Sequence, residues 1–261
     1  MTAVAARPDR AVATINPVAK LATALLVAGV LVLTIDWVSA TVALVLEVAL
    51  FAFAGVSART FWLRTLPIWI MAPLAGVTIA LYGEASGATY FEWLFVHVTE
   101  GSVTLAVATV LRVLAIGLPA VVLFITIDPT DLADGLAQVA KLPSRFVLGA
   151  LAGLRLVGLL ISDWRSLELG RRARGVSDHG RVRRLPGQAF ALLVIAIRRG
   201  SKLATAMEAR GFGGTTPRSW ARASHFGRPE VLLLIIGAAI AATAVAVSVA
   251  TGHWNFIWAR A

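Results

Sequence analysis

The feature that most constrains this chain is a series of long apolar runs with few or no charged residues. Uncharged stretches cover residues 21–35, 65–83, 113–127 and 231–259, and a further stretch, 37–58, is interrupted only by Glu47. A helix needs about 20 apolar residues to cross the hydrocarbon core of a bilayer. Because these runs are continuous rather than alternating, they predict membrane-spanning helices and not the strands of a barrel.

The composition agrees with a membrane protein. Only 15% of the 261 residues are charged, whereas soluble domains usually have about 25%. The chain has no cysteine, which excludes disulfides, thiolate catalysis and zinc–thiolate sites. We therefore predict an all-α integral membrane protein with about five transmembrane helices. We expect these spans at residues 20–35, 38–56, 62–82, 103–127 and 231–251.

The charged residues predict the orientation of these spans. Residues 128–229 hold 17 Lys and Arg against 7 Asp and Glu, and the rest of the chain holds 7 of each kind. Lys and Arg concentrate in cytoplasmic loops, so we expect the N-terminus and residues 128–229 in the cytoplasm of a cell with this protein in its inner (plasma) membrane. Three regions follow: the N-terminal lead and four spans (1–127), a cytoplasmic domain (128–229), and the last span with the C-terminus (230–261).

The basic region is predicted to contain two long amphipathic helices, at about 144–174 and 188–210, with Pro186 between them. The first contains the apolar stretch 146–162, which has Arg155 near its middle. An apolar helix interrupted in this way is typical of a helix that lies along a membrane or packs under its spans. We therefore predict that neither of the two crosses the bilayer.

Each of these helices is predicted to end in the same three residues, Ala-Arg-Gly. The first copy is Ala173-Arg174-Gly175 and the second, 36 residues later, is Ala209-Arg210-Gly211. Glycine directly after a helix is a common terminator, and an Arg there offsets the helix dipole, so one copy alone would need no function. Two copies with similar flanks favour two equivalent docking sites. The residues expected to support them are Trp164, Leu167, Arg171, Leu203, Met207 and Phe212.

These residues carry a resemblance to a known family. The stretches "INPVAKL" (15–21), "TIDPTDLADGLAQVAKLP" (126–143), "ELGRRARGV" (168–176) and "AMEARGFGG" (206–214) resemble the transmembrane T component (EcfT family) of energy-coupling factor (ECF) transporters, which are ABC importers of vitamins and metal ions. The resemblance implies that Arg174 and Arg210 end two coupling helices, each inserting into one of two ATP-binding ABC ATPase subunits. It also implies that these helices cradle a separate substrate-binding S component, while the transported substrate stays unspecified.

Two charges deep in predicted spans form a further candidate site. Glu47 and Arg112 both lie nine residues from the outer ends of their spans, and a pair between them would offset the cost of burying either charge. We expect this pair to be structural, with a transport pathway as the alternative.

Several short motifs in the same region match the signatures of other functions only in part. "DLADGLAQ" (131–138) begins like a phosphotransferase signature, but Gln138 and Val139 stand where Ala and Arg are needed. "GFGGTT" (211–216) lacks the Gly-Lys-Ser/Thr of a P-loop, so we expect no ATP site, no catalytic residue and no cofactor in this chain. The four histidines lack metal-ligand spacing. The basic cluster 171–184 suits anionic lipid and not nucleic acid, and a membrane anchor without a motor is the principal alternative.

Overall fold

The computed structural model describes residues 14–51, 57–83, 86–93, 96–175, 181–214 and 219–255. Eight helices are defined within these ranges, which confirms the prediction of an all-α membrane protein. They are α1 (Pro17–Val32), α2 (Trp37–Phe51), α3 (Ala58–Tyr82), α4 (Glu100–Ile125), α5 (Pro129–Gln138), α6 (Ser144–Ala173), α7 (Arg181–Ala209) and α8 (Arg228–Ala250). A two-stranded antiparallel hairpin of β1 (Thr89–Trp93) and β2 (Val96–Thr99) lies between α3 and α4.

Four helices have the length and apolar composition of a membrane span, namely α3, α4, α6 and α8. The other two predicted spans correspond to α1 and α2, which are apolar but have only 16 and 15 residues. Because α6 is also long and apolar, length and composition alone suit both a crossing helix and one that lies along the membrane. Its placement along the membrane stays a prediction.

The chain forms two compact units. The first contains the residues up to Leu132 and those from His225 onwards, and the second contains Ala133–Ser224. In the first unit α4 packs against α1, α2 and α3, and α8 packs against α1 and α2. Small side chains dominate the core of this unit, which lets the helix backbones come close together. One cluster of buried residues is Val27, Leu31, Ala43, Ala115, Ile240 and Ala244.

Helix α8 comes close to α1 at Gly237. A Cβ atom added to this glycine would lie 2.5 Å from Cγ2 of Thr23 and 3.7 Å from Cγ2 of Val27. Thr23 is buried, and its hydroxyl is already used to donate a hydrogen bond to the carbonyl of Ala19. Glycine is therefore required here by the space between two helices and not by backbone conformation.

The predicted outer ends of α1, α2 and α8 are joined through Asp36. Its carboxylate accepts hydrogen bonds from the amide and hydroxyl of Ser39, at 2.6 and 2.7 Å, and so caps α2. The hydroxyl of Ser248 in α8 donates a further bond to it at 2.7 Å. Because all three donors are satisfied by one buried carboxylate, the turn between α1 and α2 is fixed to the end of α8.

Two features differ from the sequence-based expectation. The sequence did not predict the hairpin of β1 and β2. Helix α7 begins at Arg181 and not near residue 188, with Pro186 inside it. A proline removes the hydrogen bond to the carbonyl four residues before it and crowds that carbonyl, which at this position lies in the first turn of α7.

The contact at Gly237 gives a first prediction. Substituting Gly237→Ala should destabilise the protein by about 1–3 kcal/mol, because the added methyl group overpacks against Thr23. The double variant Gly237→Ala with Thr23→Ser, which lacks the opposing methyl group, should recover most of this loss. Thermal unfolding in detergent measures both effects, and equal melting temperatures for the single and double variants would contradict the proposed clash.

Candidate functional site

The second unit is built around an antiparallel pair of helices, α6 and α7. Arg199 in α7 donates two hydrogen bonds to the carboxylate of Asp163 in α6, at 2.7 and 3.4 Å. Toward one end of the pair the guanidinium of Arg171 lies against Gly187, and toward the other end that of Arg145 lies against Gly213. Early residues of α6 therefore meet the residues that follow α7, and late residues of α6 meet early residues of α7.

This arrangement separates the two Ala-Arg-Gly motifs. Arg174 follows directly after α6, at the end of the pair where the chain passes from α6 to α7. Arg210 follows directly after α7, at the other end, where Arg145 near the start of α6 lies against Gly213. A helix of 30 residues such as α6 is about 45 Å long at 1.5 Å per residue. The structure therefore places the two motifs at opposite ends of one helix pair.

The glycines terminate the helices as predicted. Gly175 has φ of 68° and Gly211 has φ of 77°, a left-handed conformation that glycine adopts without steric cost. The amide of each glycine donates to the carbonyl three residues earlier, at 3.0 and 2.9 Å. After Gly211, the amide of Phe212 also donates to the carbonyl of Met207 at 2.9 Å, which completes a Schellman cap.

The arginines of the two motifs have similar surroundings. Both Arg174 and Arg210 are exposed, and neither forms an ion pair within the part of the chain that the structure describes. The neighbouring Arg172 is different, because it pairs with Glu168 on the same helix. The six residues predicted to support the motifs are all half-buried, and these are Trp164, Leu167, Arg171, Leu203, Met207 and Phe212.

A groove of about 960 Å³ lies at the Arg210 end of the helix pair. Arg145, Arg155, Arg199 and Arg210 line it, together with apolar side chains of both helices and the turn after α7. Among the residues lining it there is no Asp or Glu, so its surface is apolar and positively charged. The sequence had not predicted Arg145 here, because its neighbour Gly213 is 68 residues away along the chain.

The predicted pair between Glu47 and Arg112 does not form. Arg112 instead donates a hydrogen bond to the carbonyl of Val32, the last residue of α1. A cation is favourable there because the last carbonyls of a helix have no partner within it. Both carboxylate oxygens of Glu47 are buried without a hydrogen-bond partner in the described ranges.

Within the described residues no group of three His, Asp or Glu side chains is placed as metal ligands would be. The helices define a membrane protein with several apolar spans. The family model described as "CbiQ: Cobalt transport protein" matches residues 9–220. The chain belongs to this family.

Curated relatives agree with this assignment, and three of them are named energy-coupling factor transporter transmembrane protein EcfT. The protein of Limosilactobacillus fermentum is 27% identical over 203 residues, which cover 72% of this chain and 74% of the relative. That of Brevibacillus brevis is 29% identical over 165 residues, 59% of this chain and 62% of the relative. EcfT 1 of Listeria monocytogenes is 26% identical over 212 residues, which cover 76% of this chain and 79% of the relative. The resemblance to T components is confirmed, and the chain is a transmembrane component of an ECF transporter.

The left-handed glycine after α7 gives a second prediction. Gly211→Ala should cost roughly 1–2 kcal/mol, because a Cβ atom is disfavoured at positive φ, and open space around the residue leaves no other effect. Gly200→Ala within the same helix is the matched control. Gly200 also has open space around it, and alanine there should stabilise the helix by roughly 0.5–1 kcal/mol. Melting temperatures that shift in the same direction for both variants would contradict this.

The separation of Glu47 from Arg112 gives a third prediction. Glu47→Met should leave the melting temperature unchanged or raise it, because it removes a buried carboxyl group that has no hydrogen-bond partner among the described residues. If the two residues were paired, the same substitution would cost about 3–5 kcal/mol by leaving a buried charge alone. A double-mutant cycle with Arg112→Met measures the difference, and we expect the two effects to add within about 0.5 kcal/mol.

Proposed function

We propose that this chain couples ATP hydrolysis in two partner ATPase subunits to the movement of a third chain, the substrate-binding S component. The observation that carries the proposal is the pair of Ala-Arg-Gly helix ends at opposite ends of one antiparallel helix pair. Each end presents an exposed arginine after a helix that a left-handed glycine terminates. Two equal ends suit two equal partners.

The length of the helix pair supports two partners and not one. The ends of α6 are about 45 Å apart, whereas a small domain is about 30 Å across. One such domain cannot cover both Arg174 and Arg210. Two ATPase subunits that form a dimer would present two equivalent surfaces, one for each end.

The chemistry of the ends favours acidic grooves on those partners. A guanidinium group is planar and can hold a carboxylate through two parallel hydrogen bonds. Arg174 and Arg210 are available for this, since no acidic side chain of the described residues pairs with either. The dipole of each helix, negative at this end, keeps the arginine favourable there before the partner binds.

One face of α6 supports contact with the membrane-embedded S component. Gly149 and Gly153 lie one turn apart, both are exposed, and a Cβ atom added to either would meet nothing within 4 Å. Small residues four apart let two helices in a membrane approach closely. Large exposed apolar side chains extend this surface over both helices, and they include Phe146, Leu154, Val157, Phe190, Leu193 and Ile197.

The proposed mechanism follows from these two surfaces. Closure of the ATPase dimer on ATP moves the grooves that hold Arg174 and Arg210. The angle between α6 and α7 changes, and the S component that rests on them reorients in the membrane. ATP is bound by the partners and not by this chain, whose glycine-rich turn after α7 lacks the Lys of a P-loop.

The remaining parts of the proposal concern placement. The excess of Lys and Arg in residues 128–229 supports a cytoplasmic position for this region and for the N-terminus, with the protein in the inner membrane of the cell. The basic cluster at 171–184, of which residues 176–180 lie outside the described ranges, is proposed to contact anionic lipid, which contributes about 1 kcal/mol per basic residue near the surface. The S component, and not this chain, recognises the vitamin or metal ion.

The decisive experiment changes the two arginines. The tagged chain is purified from its own membranes in mild detergent, and the proteins recovered with it are identified and quantified. We expect two ATPase subunits per chain, partial loss with Arg174→Glu or Arg210→Glu, and nearly complete loss with both, because each carboxylate would repel an acidic groove. A membrane partner that persists in all variants would be the S component.

Matched controls come from the same helices. Arg165 and Arg198 are exposed arginines of α6 and α7 outside the motifs, and Arg165→Glu with Arg198→Glu should leave ATPase recovery unchanged. Equal losses in both double variants would favour the alternative, a membrane anchor in which basic residues are interchangeable. A phosphotransferase would require Asp131 and Asp134 for activity of the purified chain alone.

A further inference from the structure

The first turn of α1 holds a group of buried polar contacts that the proposed function does not use. Asn16 caps α1, since its side-chain oxygen accepts a hydrogen bond from the amide of Val18 at 3.0 Å. Its side-chain nitrogen donates to the carbonyl of His225 at 2.8 Å, and its backbone amide donates to Glu230 Oε1 at 3.0 Å. The cap needs only the first of these bonds, so the other two join α1 to a distant part of the chain.

Glu230 extends this contact to the start of α8. Its second oxygen accepts a hydrogen bond from the amide of Gly227 at 2.8 Å. Both Asn16 and Glu230 are buried, with 7% and 6% of their surface exposed. Residues 225–230, which lead from the second unit back into the first, are therefore fixed to the beginning of α1.

Lys20, one turn further along α1, holds the other connection. It is fully buried, with 0% exposure, and its ammonium group donates to the hydroxyl of Thr126 at 2.9 Å. Thr126 is the C-cap of α4, where the last carbonyls favour a cation. Asp131 in the first turn of α5 also attracts this charge. Lys20 thus binds the end of α4 at the point where the chain leaves for the second unit.

Asn16 and Lys20, both in "INPVAKL" (15–21), therefore contact the chain near the two points where it leaves the first unit and returns to it. The chain leaves the first unit after Leu132 and returns at His225, and the contacts of Lys20 and Asn16 lie beside these two points. We infer that Asn16 and Lys20 are positioning residues for coupling, through which the motion of α6 and α7 reaches the membrane helices α1, α4 and α8. This inference rests on the proposed coupling function.

The reason is mechanical and follows from burial. The two connections are a covalent route by which movement of the coupling helices reaches the membrane helices. Because one connection is bonded to the N-cap of α1 and the other to Lys20, one turn further along, displacing either one displaces α1 as well. Hydrogen bonds in a buried, low-dielectric site resist such displacement better than exposed ones do.

Two variants separate this role from simple capping. Asn16→Ser keeps an oxygen that can cap α1, since serine is as good an N-cap as asparagine, but it cannot reach the carbonyl of His225. Thr126→Val keeps the shape of the side chain and removes the acceptor for Lys20. Thr126→Ser retains that hydroxyl and serves as the conservative control. Thr243→Val is the remote control, because the hydroxyl of Thr243 bonds only within its own helix.

The test uses the complete complex in proteoliposomes. Phosphate release measures ATP hydrolysis. Reorientation of the S component is measured by labelling it, with and without MgATP, with an amine-reactive reagent that does not cross the membrane. For Asn16→Ser and Thr126→Val we expect normal assembly and hydrolysis within about twofold of wild type. The ATP-dependent change in labelling per phosphate should fall about fivefold, the size expected from losing one hydrogen bond. Both control variants should behave as wild type.

Three other results would each overturn the inference. An unchanged ratio of labelling to phosphate in both variants would show that the contacts do not transmit motion. Loss of assembly in both variants but not in the controls would show a structural role only. If no ATPase is recovered with the wild-type chain, the proposed function itself fails. If the wild-type complex couples normally and the variants do so too, only the role of Asn16 and Lys20 fails.

Discussion

The structure depends on one constraint: in hydrocarbon, every peptide N–H and C=O group must find its hydrogen bond within the protein. The first unit meets this constraint with helices whose ends are closed by side chains. Asn16 and Ser57 cap helices at their N-termini, and Arg112 donates to the last carbonyl of α1. Polar residues in this unit are therefore placed mainly at helix ends, where they also join one helix to another.

The features that could be predicted from the sequence are those that depend on neighbouring residues. Continuous apolar runs located α3, α4 and α8, because helix formation across a bilayer needs only length and hydrophobicity. The ends of α6 and α7 were predictable from Gly175 and Gly211, since the left-handed conformation favours glycine wherever it occurs. The candidate site was found in this way, because both of its halves are local helix ends with the same residues.

The features that could not be predicted depend on partners far away in the chain. Arg112 donates a hydrogen bond to a backbone carbonyl 80 residues away. Because every residue has a backbone carbonyl, the sequence does not identify this acceptor, and the predicted pair with Glu47 was wrong. The contacts of Asn16 with His225 and of Arg145 with Gly213 are hidden for the same reason. Pro186 misled the prediction of the start of α7, because a proline near the beginning of a helix removes only one early bond.

The helical position of the two motifs also restricts which insertions and deletions α6 and α7 can accept. Each residue of a helix turns the chain by 100° and advances it by 1.5 Å. Loss of a single residue between Asp163 and Arg174 would rotate Arg174 by more than a quarter of a turn relative to Asp163, while most substitutions there would leave its direction unchanged. The number of residues between the Asp163–Arg199 pair and each motif must therefore stay constant if Arg174 and Arg210 are to keep their directions, even where the residues themselves vary.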